Sequence, residues 1–114
     1  MSEAQYAVVM TTAASVEEAQ KITDSLLEKK LAACVQLINI SSHYFWDNTI
    51  CNSPEILLLI KCKASLYSQI EECIKSDHSY DVPEIICVPI LNGAPPYLNW
   101  IDEVSISTDS ARHI

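Results

Sequence analysis

The stretch CVQLINISSHYFW, Cys34–Trp46, decides the fold together with the two segments after it, DNT and then EILLLIKCK, Glu55–Lys63. The first run is rich in apolar and aromatic residues and holds neither proline nor glycine, so it reads as one long strand. Ser41–Ser42 is the place where a bulge would bend it. Asn48 tolerates a left-handed backbone, which makes DNT a hairpin turn. EILLLIKCK is apolar almost without interruption and is expected to be a strand buried on both faces. At about 3.3 Å per residue the first strand reaches roughly 43 Å, beyond the roughly 35 Å diameter of a compact domain of this size. A hairpin that overruns its own sheet exposes strand edges that must be covered, and a partner subunit is the simplest cover.

Outward from the hairpin, YAVVMTTA (Tyr6–Ala13) is a β-branched, apolar strand. Ser15 with Glu18 three residues on makes a capping box, which starts a helix running to about Lys30. Val16, Ala19, Ile22 and Leu26 fall on one face of it, and Glu17 and Lys21 are spaced for an ion pair. After the hairpin, Ser65 is expected to cap a second helix carrying the stripe Leu66, Ile70, Cys73, Ile74. PEIICVPI (Pro83–Ile90) is a fourth strand with its prolines near the ends. Pro95 and Pro96 open a terminal helix, where a first turn can lack N–H donors, docked by Leu98, Ile101 and Trp100. The order β-α-β-β-α-β plus a C-terminal helix is the ferredoxin-like split βαβ arrangement, an α+β fold. The 114 residues are expected to make one domain, ordered over about 6–105, with residues 106–114 as a tail.

Composition narrows the function. The net charge is -8, from 15 acids against 7 bases, and the only arginine is Arg112, so the face of phosphate-neutralising bases that nucleic acid requires is not expected. No apolar run approaches the ~20 residues of a membrane span. Five cysteines (Cys34, Cys51, Cys62, Cys73 and Cys87) include no C-x-x-C pair, which leaves zinc-ribbon and thioredoxin chemistry without support. They read as reduced thiols in a cytosol, with Cys34, Cys62 and Cys87 turned into the core and Cys51 the most exposed. An apolar content of 49% is more than one small domain easily hides, a second pointer to an interface.

KSDHSYDVPE, Lys75–Glu84, gathers the chemistry-bearing residues. With a histidine, a tyrosine and three carboxylates in ten residues it is a candidate metal site, in which Asp77 and His78 could hold a divalent ion weakly with Asp81 or Glu84 from the same connection. The alternative is a polar turn in which His78 caps the last turn of the second helix and meets the negative end of its dipole, while Tyr80 packs.

Five segments in order resemble the CutA divalent-ion tolerance family: KKLAACVQLI (Lys29–Ile38), YFW (Tyr44–Trp46), IK (Ile60–Lys61), HSYDVPEII (His78–Ile86) and GAPPYLNWI (Gly93–Ile101). The resemblance implies a ferredoxin-like subunit in a homotrimer whose long hairpins pair edge to edge. It also implies a cytoplasmic role in tolerance of copper and other divalent cations, with no established catalytic reaction and no obligatory cofactor. A bacterial copper site in the family uses a cysteine near the end of the first strand and two adjacent histidines after the second helix. Those positions here carry Thr11 and Asp77-His78, so Cu2+ would meet one matching ligand, and a hydroxyl is a poor substitute for soft sulfur. The usual Trp-x-Gly-Lys at the hairpin tip is Trp46-Asp47-Asn48-Thr49, and the segment from Leu31 to Trp46 is one residue shorter. Tyr44, Trp46, Glu55, Lys61, Tyr80, Glu84 and Trp100 are the candidate residues of the intersubunit cleft. An enzyme of the same topology, such as an acylphosphatase, needs an arginine-bearing phosphate cradle that this chain lacks. A scaffold trimer binding a small molecule or a protein in its clefts is the competing function.

Overall fold

The computed structural model describes residues 4–107. Along the chain run β1 (Tyr6–Ala13), α1 (Val16–Glu28), β2 (Cys34–Trp46), β3 (Thr49–Lys63), α2 (Tyr67–Asp77), β4 (Ile85–Pro89) and α3 (Pro95–Val104). The four strands form one antiparallel sheet in the order β2-β3-β1-β4, the ferredoxin-like arrangement. The molecule measures 44 × 29 × 24 Å, its long axis close to the reach of the hairpin strand.

The hairpin turns at Asn48 in left-handed backbone as read, and differs from its sequence reading in three details. First, Asp47 and Asn48 both take left-handed backbone (φ 52 and 59), which is the two-residue type I′ turn that matches strand twist. Second, there is no bulge at Ser41–Ser42: pairing runs one for one from Cys34 opposite Lys61 to Trp46 opposite Thr49. Third, β3 begins at Thr49 rather than Glu55. Pro54 and the polar residues before it mark that segment as a strand boundary in sequence, yet pairing to β2 carries it through. Trp46 and Thr49 close the turn as a hydrogen-bonded pair, and bonded and non-bonded pairs alternate from there. Pro54, opposite Ser41, is therefore non-bonded, and its nitrogen faces away from β2 toward an edge that β1 has already left at Ala13, opposite Ile56.

Alternation also decides the two faces of the sheet. Ile56, Leu58, Ile60 and Cys62 of β3 are buried beside Ala7, Val9, Thr11 and Ala13 of β1, under α1 and α2. Leu57, Leu59, Val8 and Met10 point the other way and are only half-buried, while Ile38 and Ile86 (47%) are exposed. EILLLIKCK is thus buried on one face, not both, because within one chain no helical layer fully covers the second.

In α1, the Ser15 hydroxyl accepts from Glu18 N–H at 3.1 Å, and Glu18 Oε1 accepts from Ala14 N–H, the expected capping box displaced by one residue. Ala19, Ile22 and Leu26 are fully buried. Val16 is 58% exposed, because it stands in the first turn at the rim of the helix layer. Lys21 reaches Asp77 at 4.0 Å and not Glu17. The helix closes with Lys30 at φ 57: Lys30 N–H bonds the Leu27 carbonyl and Leu31 N–H the Leu26 carbonyl, a Schellman ending with Leu26 and Leu31 buried together. Ser65 lies inside a 3-10 turn (Ala64–Leu66), so the N-cap position of α2 falls on Leu66 and not on Ser65 as predicted. Leu66, Ile70, Cys73 and Ile74 are buried as read. In α3, Pro95 and Pro96 occupy the first turn and Ile101 is fully buried, but Trp100 stays exposed. The Tyr6 hydroxyl donates to Asp102, and Lys63 Nζ donates to the Ile106 carbonyl at 2.8 Å.

Candidate functional site

The connection after α2 is built around His78. Asp77 is the last residue of the helix, and His78 turns the chain into extended backbone. The ring does not bond the helix's own carbonyls. Its Nε2 lies 2.6 Å from the Thr12 carbonyl and its Nδ1 3.1 Å from Tyr80 N. A carbonyl only accepts and a backbone N–H only donates, so this geometry selects the neutral Nε2–H tautomer. Both ring nitrogens are engaged. The ring also lies 4.8 Å from that of Tyr80, tilted by 51°.

Glu18 completes the junction. Its Oε2 accepts from Ser79 N–H at 2.7 Å while Oε1 holds Ala14 N–H, so one carboxylate ties the start of α1 to the segment after α2. Partial burial acts to raise the Glu18 carboxyl, but the bonds from Ser79 and Ala14 outweigh it and hold it below the usual range. Its capping role is legible in sequence; its hold on Ser79, sixty-one residues away, is not.

Tyr80 donates its hydroxyl to Glu55 Oε2 at 2.8 Å, and its own ionisation is pushed up to about 12 by burial and by that carboxylate. Glu55 shares a sheet face with Lys61, Tyr44 and Trp46, by the alternation that places Val8 and Met10 there. On this face Tyr44 bonds Ser53 at 2.7 Å, Lys61 Nζ donates to Gln36 Oε1 at 2.6 Å, and Trp46 stands 63% exposed at the tip. The structure therefore brings Tyr44, Trp46, Glu55 and Lys61 onto one surface with Tyr80 tied to it. Glu84 is exposed just before β4, and Trp100 sits apart on α3 against Tyr97, ring centroids 5.6 Å apart.

Thr11 is fully buried on the opposite face, its hydroxyl without a partner. His78 reaches the neighbouring backbone carbonyl of Thr12, not the Thr11 side chain. Asp77 pairs at the limit of reach with Lys21, and Asp81 is exposed. The cysteines depart from expectation: Cys87 is exposed and Cys51 and Cys34 are partly buried, since Cys87 lies on the edge strand β4 and Cys34 points to the half-covered face. Cys62 is pushed up to about 12 by burial and is an inert thiol. Among the described residues no group of three or more His, Cys, Asp or Glu side chains is placed to hold a metal ion. No helix among them is long and apolar enough to cross a membrane.

The chain is similar to proteins of one family throughout. Residues 7–104 match the family model described as CutA1 divalent ion tolerance protein. The Divalent-cation tolerance protein CutA of Archaeoglobus fulgidus is 39% identical over 95 residues, which cover 83% of this chain and 93% of that one. Its solved structure, described as periplasmic, superposes with a TM-score of 0.85 at 37% identity, covering 87% of this chain and 97% of that one. The crystal structure of CutA1 from Shewanella sp. SIB1 gives a TM-score of 0.89 at 41% identity, covering 93% of this chain and all of that one, 100%. Protein CutA of Mus musculus is 40% identical over 94 residues, which cover 82% of this chain and 53% of the mouse protein, so the chain spans about half the length of that relative. With five sequence segments in order, the split βαβ sheet and a family match from β1 to the end of α3, the chain belongs to the CutA1 divalent ion tolerance protein family.

Proposed function

We propose that the protein works as a cytoplasmic homotrimer in tolerance of divalent cations, without a catalytic reaction of its own. The observation that carries the assembly is the outer edge of β2. By the alternation set at the hairpin turn, Val35, Leu37, Asn39, Ser41, His43 and Phe45 direct their N–H and C=O groups away from β3, and β2 is the outermost strand. The half-covered apolar face beside it adds area that a second copy would bury. The cytoplasmic assignment rests on the five unpaired cysteines.

Cation binding is proposed at Asp77 and His78, with Cu2+ as the ion that imidazole suits. Binding there is weak, because a metal ion at either ring nitrogen displaces a hydrogen bond, to Tyr80 N–H or to the Thr12 carbonyl. Native mass spectrometry with and without Cu2+ tests both parts. The expected result is three chains per particle with substoichiometric copper that His78→Ala removes. Particles of a single 12.7 kDa chain at micromolar concentration overturn the trimer, and copper loading unchanged by His78→Ala overturns the site.

A scaffold that takes a small molecule or a protein at its intersubunit clefts is the second reading. The observation favouring it is the shared surface of Tyr44, Trp46, Glu55 and Lys61, which offers aromatic and both signs of charged group without a metal-binding cluster. Partners retained after chelation of all metal would select this reading.

A further inference from the structure

We draw no further inference here: the strongest candidate, the Lys29–Cys73 pair at 3.7 Å between the end of α1 and α2, is a single cysteine whose thiol burial pushes up, and no second observation points to a ligand there.

Discussion

His78 donates from Nε2 to the Thr12 carbonyl at 2.6 Å, so the connection after α2 is fastened to the end of β1 by a side chain. Two hydrogen bonds of about 0.5–1.5 kcal/mol each depend on that ring. His78→Ala is expected to lower Tm by several degrees at fixed protein concentration. Tyr80→Phe removes only an exposed bond to Glu55 and should shift stability by less than about 0.5 kcal/mol. Equal shifts for the two variants, read by thermal melts, would show that His78 is not the fastening.

Glu18 predicts an acid-side effect. Its folded carboxyl is held below its unfolded value of about 4.3, so its contribution is fully present above that pH and fades as pH falls through the lower folded value. Glu18→Gln should therefore be less stable than the parent at pH 6, with the gap closing toward pH 3. Melting curves across that range check it. A gap that widens on acidification has the wrong sign and rejects the assignment.

Lys30 sits in left-handed backbone at the end of α1, with only backbone groups engaged in the motif. Glycine occupies that conformation without a Cβ penalty. Lys30→Gly should stabilise by about 0.5–1 kcal/mol in urea titration with an unchanged m-value, whereas loss of stability would mean that the lysine side chain holds something the backbone does not.

Thr11 carries a buried hydroxyl that bonds nothing. Thr11→Val keeps the volume and removes the unsatisfied group, for a gain on the order of 1 kcal/mol. Thr23, the other buried hydroxyl without a partner among the described residues, serves as a parallel site on α1. A destabilised Thr11→Val, seen by chemical denaturation, would show that the hydroxyl has a partner in solution.

Where neighbouring residues decide a feature, it was legible in the sequence. Ser15 with Glu18 starts α1, Pro95-Pro96 starts α3, and the spacing of Leu66, Ile70, Cys73 and Ile74 defines the buried side of α2. Where distant pairing decides, it was not. Thr49–Pro54 is polar and interrupted, and becomes strand because Ser41–Trp46 lies alongside. The run EILLLIKCK is apolar on both faces, and composition does not say that one of them is left half-covered by its own chain. The site follows the same division: the carboxylates, His78 and Tyr80 stand together in sequence, whereas the Thr12 carbonyl and Glu18 that organise them arrive through the fold.

Pro54 has a consequence for growth. Past Ala13, the inner side of the arm offers donors only at Ile50 and Asn52, and then meets a nitrogen with no hydrogen. A strand zipping along this side loses a rung where the arm joins the body, so ladders cannot propagate inward from the tip. The missing rung makes this side of the arm a poor template for the addition of a further strand.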